Sequence, residues 1–271
     1  MGQKKQLSIL EFSRLTGIAR DNLRFYDRIG LLKPALRGDN GYRYYTRHQL
    51  GSAYLISSLR LLGVGLEEIR RYSADRTPDK MLALFADQEA RIQAEIARLR
   101  EASEIMERYA NMAREALCHR ESQFLVEERK RERIFLCPPT PAVADTDEAE
   151  ILAYEYAIGH GINPGYPLGA LIPREGFSPA AKNPPYRYYF MAGQGGNAWK
   201  PAGLYAVAYA MGKGDDAPHL CQQLLDFVRE RGLAVAGDAY GQYLLDDLAV
   251  QTPELYCSRL EILVERRAGE G

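Results

Sequence analysis

Residues 23–34, LRFYDRIGLLKP, decide the fold of the N-terminal part of the chain. Leu23, Tyr26 and Ile29 recur at the spacing of one helical face, which predicts a short helix over residues 20–29. Ala19 precedes this helix without a hydroxyl or carboxamide side chain to cap it, which costs about 0.5–2 kcal/mol relative to a good N-cap residue.

An earlier helix is predicted from Ser8, because Ser8 and Glu11 have the spacing of a capping box. Phe12 and Leu15 continue one apolar face, and Gly17 ends the segment. Two short helices separated by a glycine turn form a helix-turn-helix candidate.

A hairpin over residues 37–45 follows, because an Asn-Gly pair at its centre is typical of a tight turn. Alternation along its second strand places Tyr42 and Tyr44 on one face, and Arg43 and Tyr45 on the other. Tyr45 is expected to anchor the hairpin to the helices.

The composition is that of a globular protein: the 271 residues are 46% hydrophobic and 26% charged, with a mean hydropathy of −0.35. No run approaches the roughly 18 apolar residues that cross a bilayer, and no secretory signal is recognisable, so a cytoplasmic protein is expected. Residues 1–60 carry eleven Lys or Arg and four Asp or Glu, a net charge of +7, which leaves −8 for the remainder of a chain with net charge −1. A polyanion is the expected partner of the basic segment.

A long helix is predicted from Thr77-Pro78, an N-cap residue followed by proline at the first helical position. Before it, a third helix over residues 47–62, which starts from a Thr46–Gln49 capping box, and a short fourth helix over LEEIRRY are predicted. In the long helix, nine of eleven positions at alternating spacings of three and four residues are apolar. This pattern indicates a heptad seam that joins two copies of the chain in a homodimer. The alternative is that the seam packs on the chain's own C-terminal part. The eleven positions are Leu82, Phe85, Glu89, Ile92, Ile96, Leu99, Ser103, Met106, Ala110, Ala113 and Leu117.

The pattern changes to strands after this helix. FLVEERKRERIFLC predicts a hairpin, and a helix and two strands follow it; strand, helix, strand and strand then recur from GLYAVAYAM onward. The order predicts an α+β domain built from two β-α-β-β units.

The predicted elements follow the order helix-turn-helix, wing, two helices and long helix. This order, together with the segments LRFYDRIGLLKP at 23–34 and GYRYYT at 41–46, resembles the MerR family of bacterial transcription regulators. The C-terminal part is similar to the GyrI-like effector domains of the multidrug-sensing branch. The resemblance implies an all-α winged helix-turn-helix at residues 1–76, an antiparallel coiled-coil dimerisation helix at 77–118 and a GyrI-like domain at 119–271.

The resemblance also implies a mechanism. MerR-type dimers bind a promoter with an over-long spacer, and ligand binding makes them distort the DNA so that RNA polymerase engages both promoter elements. Arg43 is then expected to grip the DNA backbone, while Phe25 faces the core. The candidate DNA-binding residues are Arg20, Asn22, Arg24, Tyr26, Tyr42, Arg43, Tyr44, Arg47 and Arg60.

The C-terminal part is expected to bind a lipophilic small-molecule effector. Residues 134–271 contain eleven of the eighteen tyrosines and have a net charge of −7, and tyrosine rings favour flat cationic compounds. Gly241, which follows Tyr240 where a similar cation sensor has a buried glutamate, departs from that pattern. The candidate ligand-binding residues are Tyr154, Tyr166, Tyr186, Trp199, Tyr209, Glu254 and Tyr256.

Other interpretations remain open. Cys118-His119 at the end of the long helix is compatible with a metal sensor, although no second cysteine lies near the start of that helix, and the four cysteines lack CxxC spacing. A neutral effector is a further possibility. Some GyrI-like domains are similar to small hydrolases, for which Glu155 or Glu254 beside a tyrosine would supply the acid and base. The absence of a nucleotide loop and of Ser-His-Asp spacing favours a regulator that is not an enzyme and needs no cofactor.

Overall fold

A computed structural model describes most of the chain. The described residues are 6–119, 121–140, 146–178, 186–212 and 217–267. They form two compact units, Met1–Leu99 and Arg100–Gly271, and the division falls within one long helix. The three-part division at residues 76 and 118 remains a prediction.

The first unit consists of short helices and a small antiparallel sheet with strand order β1-β3-β2. Its elements are β1 (Leu7–Ser8), α1 (Ile9–Thr16), α2 (Arg20–Arg28), β2 (Leu36–Arg37), β3 (Arg43–Tyr45), α3 (Gln49–Leu61), α4 (Leu66–Ala74) and the N-terminal part of α5 (Pro78–Cys118). The predicted hairpin is therefore confirmed as β2 and β3. Strand β1 was not predicted, because its two residues are too few to show a strand pattern. In this strand Leu7 pairs with Tyr45.

The helix starts follow local sequence in most cases. Both bonds of the Ser8–Glu11 capping box are present, and Gly17 ends α1 with φ 73°. Ala19 gives α2 no side-chain cap, as predicted. Only one of the two hydrogen bonds of the expected Thr46–Gln49 capping box forms: the Gln49 side chain accepts a hydrogen bond of 3.0 Å from the Thr46 amide. Helix α3 begins two residues later than predicted, and its N-cap residue makes no side-chain hydrogen bond to the helix.

The core of the first unit forms where the helices meet the hairpin. Tyr45 is fully buried and its ring stacks on Phe12 with centroids 4.3 Å apart, so the predicted anchor is confirmed. Two expectations for α2 are wrong: Tyr26 is buried with Leu23, and Phe25 is 39% exposed. The reason is geometric, since residues three apart share a helix face and Phe25 lies about 100° around the helix from Tyr26.

The second unit is built on an eight-stranded sheet whose pairs are antiparallel, with order β4-β9-β11-β10-β6-β7-β5-β8. Its elements are the C-terminal part of α5, then β4 (Gln123–Arg129), β5 (Glu132–Leu136), α6 (Thr146–Gly159), β6 (Leu168–Ile172), the short helix α7 (Arg174–Gly176), β7 (Arg187–Phe190), β8 (Ala198–Lys200), β9 (Gly203–Met211), α8 (Ala217–Glu230), β10 (Leu233–Leu245), the short helix α9 (Pro253–Leu255) and β11 (Cys257–Arg266).

The predicted hairpin over FLVEERKRERIFLC is wrong. Strand β4 pairs with β9 along its whole length, whereas β5 pairs with β7 and β8 near the opposite end of the sheet. The backbone groups of β4 are thus satisfied by a strand about eighty residues away in sequence, a long-range pairing that local pattern does not contain.

The predicted repeat of two β-α-β-β units is present in the topology. The units β5-α6-β6-β7 and β9-α8-β10-β11 each place their last strand between the other two, and they meet through β6 and β10. That central pairing is short, with Ala170, Leu171 and Ile172 opposite Gly241, Tyr240 and Ala239. Among the described residues, no helix is long and apolar enough to span a membrane.

Candidate functional site

The exposed face of α2 presents three of the predicted DNA-binding residues. Arg20, Asn22 and Arg24 are all exposed on this nine-residue helix. Arg24 pairs with Asp21 at 2.8 Å, yet 53% of its side chain remains accessible. This geometry leaves guanidinium N–H groups on the side of α2 that faces away from the core.

A buried carboxylate fixes the arginines of the hairpin. Asp27, on α2, accepts hydrogen bonds from Arg43 Nε at 2.6 Å and from Arg37 Nη2 at 2.7 Å. Burial raises the pKa of Asp27, but the hydrogen bonds and charges of Arg43 and Arg37 outweigh burial and lower the pKa below its usual value. Only 4% of the Asp27 side chain is exposed, against 58% for Arg37 and 25% for Arg43. Asp27 therefore orients Arg43, and neither Asp27 nor Arg37 was singled out from the sequence.

The remaining predicted residues differ in accessibility. Tyr42 is 61% exposed and Tyr44 is half-buried, while Arg47 is exposed at the start of α3. Arg60 is exposed but donates to the carbonyl of Val64 at 2.9 Å, so part of its donor capacity stabilises the end of α3. Tyr26, as described above, lies in the core.

The second unit contains a cleft of about 370 Å³. Six of its eleven lining residues are cationic and two are acidic. They are Arg108, Asn111, Met112 and Glu115 from α5; Arg129, Lys130, Arg131 and Glu132 from β4, β5 and the turn between them; and Met191, Lys200 and Arg259 from the rest of the sheet.

Two carboxylates hold the inner cations of this cleft. Glu261, on β11, is fully buried and contacts Lys200 Nζ at 2.5 Å, Arg129 Nε at 3.1 Å and Arg259 Nη2 at 3.1 Å. Glu115, on α5, contacts Arg259 Nη1 at 2.6 Å and Arg129 Nη2 at 3.1 Å. The interior of the cleft wall is therefore a network of paired charges, as burial requires.

The network changes the protonation of its members. Burial raises the pKa of Glu115, but the charge of Arg259 and hydrogen bonds from Tyr209 and Arg259 outweigh it and lower the pKa to about 2. Burial is also the largest influence on Lys200 and lowers its pKa, although the charge of Glu261 opposes this. Glu261 and Glu115 are thus held ionised at neutral pH.

Two of the predicted tyrosines are buried beside carboxylates of α5. The Tyr209 hydroxyl donates to Glu115 at 2.6 Å, so Tyr209 lies behind the cleft wall and does not line it. The Tyr166 hydroxyl donates to Glu104 at 3.3 Å, and burial together with that carboxylate raises the pKa of Tyr166 to about 12. Both hydroxyls already have partners within the protein.

Tyr154 and Tyr186 lie together in a separate apolar cluster. The Tyr154 ring meets the Phe190 ring edge-on with centroids 5.3 Å apart, and Tyr186 meets Tyr188 in the same way at 5.4 Å. Both tyrosines pack partly buried against this cluster, which has no residue in common with the lining of the cleft.

The last three predicted residues are near the surface. Trp199 is 49% exposed, with the Arg131 guanidinium 3.8 Å from its ring centre. Glu254 is exposed, and the Tyr256 ring lies 6.0 Å from that of Tyr243. The structure thus distributes the seven predicted ligand residues, and none of them lines the cleft.

The sequence contained two indications of the cleft that were missed. Residues 129–133 are dense in basic side chains. Arg259 and Glu261 stand two apart in the strand Cys257–Arg266, where alternation puts both on one face. Charged pairs within a buried strand are typical of an internal ion pair.

The features of the alternative functions do not come together. Among the described residues, no group of three or more His, Cys, Asp or Glu side chains is arranged to hold a metal ion. His119 stacks on Tyr209 with centroids 3.8 Å apart, and Cys118 is exposed. Glu155 and Glu254, the candidate acids and bases, are exposed.

The N-terminal unit, with two short helices separated by a glycine turn and a hairpin after the second, has the element order of a winged helix-turn-helix. Residues 7–75 match the family model described as the MerR HTH family regulatory protein. The matched family and the relatives below are described as regulatory proteins or regulators.

The relatives include two regulators from Bacillus subtilis (strain 168). The multidrug-efflux transporter 2 regulator is 29% identical over 260 residues, which cover 91% of this chain and 92% of the relative. The multidrug-efflux transporter 1 regulator is 39% identical over 90 residues, or 33% of this chain and 32% of the relative. Among solved structures, the cryo-EM structure of the EcmrR–DNA complex is 20% identical, covers 96% of this chain and all of the other, and has a TM-score of 0.42.

Proposed function

We propose that this protein is a MerR-type transcription regulator that binds promoter DNA as a homodimer and responds to an amphipathic small molecule bound by its C-terminal unit. The observation that carries the DNA-binding part is the exposure of Arg20, Asn22 and Arg24 on α2, with Arg20 and Arg24 one turn apart on the same side of the helix. A helix of this kind places such side chains against base edges and phosphates in the major groove. The hairpin arginines then contact the adjacent backbone.

Two matched arginines test this interface. Arg24 pairs with Asp21 and is 53% exposed, and Arg70 on α4 pairs with Glu67 and is 48% exposed, both at a spacing of three residues. Arg24→Ala is expected to weaken binding to a duplex selected from random DNA by roughly ten-fold to a hundred-fold, because a base or phosphate contact is worth about 1–3 kcal/mol. Arg70→Ala should change the affinity less than about two-fold. Equal losses in the two variants, measured by fluorescence anisotropy at fixed salt, would contradict the assignment.

The proposed dimer rests on α5. Among the seam residues predicted from the heptad pattern, Leu82, Phe85, Leu99, Met106 and Leu117 are each at least 41% exposed in the single chain. A 41-residue helix with such a stripe favours a second copy as its cover, since exposed apolar surface of this extent is unfavourable in water.

Polar substitution of the seam tests the dimer. Ile92→Asp combined with Ile96→Asp should give monomers in sedimentation at micromolar concentration, because four charges would then meet in the seam. The matched control is Glu95→Asp with Gln93→Asn, which alters neighbouring exposed positions without adding charge. Dimers that survive the first change would mean that another surface joins the copies.

By the family resemblance, we propose that effector binding makes the DNA-bound dimer distort the promoter spacer so that RNA polymerase engages both elements. Transcription in vitro from templates with a shortened spacer should then lose its dependence on the effector. The predicted positive charge of the effector has no support from the cleft, because cationic residues dominate its lining.

A further inference from the structure

The cleft of the second unit differs in charge from the unit around it. Residues 100–271 contain 18 Lys or Arg and 25 Asp or Glu, a net charge of −7, but the cleft lining contains six cationic and two acidic side chains. Adding Glu104, Glu127 and Glu261, which pair with lining residues without lining the cleft themselves, still leaves six positive charges against five negative. The cleft is thus the place in this unit where positive charge is concentrated.

Two of the cations stand at the entrance without an acidic partner. Lys130 and Arg131 are exposed on the turn between β4 and β5, and within the part of the chain that the structure describes, no carboxylate lies at ion-pair distance from either. Arg131 instead covers the ring of Trp199 at 3.8 Å. Exposed cations on a short turn attract anions from solution.

A third donor lies deeper in the wall. Arg259 is 7% exposed, and its Nη atoms are paired with Glu115, Glu261 and Gln242. Its Nε is buried and has no hydrogen-bond partner among the described residues. Leaving a buried charged donor unpaired is unfavourable, so a ligand that supplies an acceptor oxygen there gains affinity from an unmet bond.

The same network disfavours a cationic ligand. Glu115 and Glu132 line the cleft and Glu261 lies behind its wall, and each already contacts between one and three cations. A cation could pair with one of these carboxylates only by competing with the arginine or lysine that it already holds. Met112 and Met191 supply an adaptable apolar wall for the remainder of a ligand.

We infer that the effector of this protein is an amphipathic anion, with a carboxylate or similar group between Lys130, Arg131 and Arg259 and an apolar body against Met112 and Met191. The inference rests on the proposed effector function and names its ligand class. An anion at Arg259 shares that guanidinium with Glu115, which lies on α5. Binding of an anion therefore changes the interaction of Arg259 with Glu115 on the long helix.

Three probes of the same shape test the ligand class. Calorimetry on the full chain would compare 2-naphthoate, the neutral 2-naphthamide and the cationic 2-naphthylmethylammonium. We expect 2-naphthoate to bind at least ten-fold more tightly than either of the others. Tighter binding of the ammonium would overturn the anionic class while leaving the effector function intact. Absence of binding by all three probes at millimolar concentration would overturn the site itself. DNA affinity, measured separately on the same preparation, would show whether the protein still binds DNA.

Variants then locate the site. Lys130→Ala combined with Arg131→Ala should weaken 2-naphthoate at least ten-fold and leave 2-naphthamide unchanged. The control Arg229→Ala removes one positive charge from α8, outside the lining, and should have no effect. In a crystal with 2-naphthoate, a carboxylate oxygen should lie within about 3.2 Å of Arg259 Nε. Unchanged affinity in the double variant, or a carboxylate bound elsewhere, would refute the assignment.

Discussion

Each unit of the molecule contains a buried carboxylate that several cations share, but the two carboxylates have opposite surroundings. Asp27 holds Arg37 and Arg43, whose side chains remain 58% and 25% exposed. Glu261 holds Lys200 and Arg259, whose side chains are 5% and 8% exposed. In the first unit the carboxylate orients cations that face solvent, and in the second it neutralises cations that the sheet has buried. Removal of the carboxylate should therefore affect binding in the first unit and stability in the second.

The largest effect is expected from Glu261→Gln. Because it leaves Lys200, Arg129 and Arg259 with one fewer negative partner in a buried wall, the free energy of unfolding of the second unit should fall by about 3–5 kcal/mol. The chain has a single tryptophan, Trp199, so its fluorescence during urea denaturation reports on this unit. Glu265→Gln, four residues further along β11 and exposed, is the control. Equal midpoints for the two variants would show that the network adds little stability.

A pH series isolates the contribution of Glu115. Its pKa is lowered from 4.5 to about 2 in the folded protein, so its stabilisation is complete above pH 4.5 and is lost as the pH falls toward 2. The difference in unfolding free energy between the natural chain and Glu115→Gln should therefore shrink by about 3 kcal/mol over that interval. A difference that stays constant with pH would mean that Glu115 is not held ionised by Arg259.

Asp27→Asn should produce a smaller loss of stability together with a loss of DNA affinity. Hydrogen bonds to a charged group contribute about 2 kcal/mol, and without them Arg37 and Arg43 are no longer fixed. We expect the first unit to lose about that amount in hydrogen-exchange measurements and DNA binding to weaken roughly ten-fold. Asp39→Asn, exposed in the turn of the same hairpin, should change neither quantity. Retention of full DNA affinity would remove the positioning role of Asp27.

Local features of the fold could be predicted because their causes are local. The Ser8–Glu11 box, the glycine that ends α1 and the start of α5 at Pro78 each depend on side chains within a few residues, and the structure has all three. Thr77 caps α5 by accepting a hydrogen bond from the Lys80 amide at 3.2 Å. The repeated order of strands and helices was predictable for the same reason.

The pairing of strands and the composition of the cleft could not be predicted in this way. Strand β4 lacks any local feature that selects β9 over β5, and Arg129 meets Glu261 across 132 residues of sequence. Average composition also misled, because the negative net charge of the C-terminal part says nothing about where its positive charges gather. Tyrosines such as Tyr166 and Tyr209 were chosen by residue type, but the fold turned their hydroxyls toward glutamates of α5.

The symmetric framework of the sheet has an evolutionary consequence. A unit repeated as β5-α6-β6-β7 and β9-α8-β10-β11 is the expected product of duplication and fusion of a half-sized ancestor. The repeated strands contribute Glu132 and Arg259 to the cleft. Most of the lining comes from elements outside the repeat, namely α5, β4, the turn after β4 and β8. Descendants of one ancestor can therefore diverge in what they recognise mainly through segments outside the duplicated halves, and the halves themselves add few residues to the cleft.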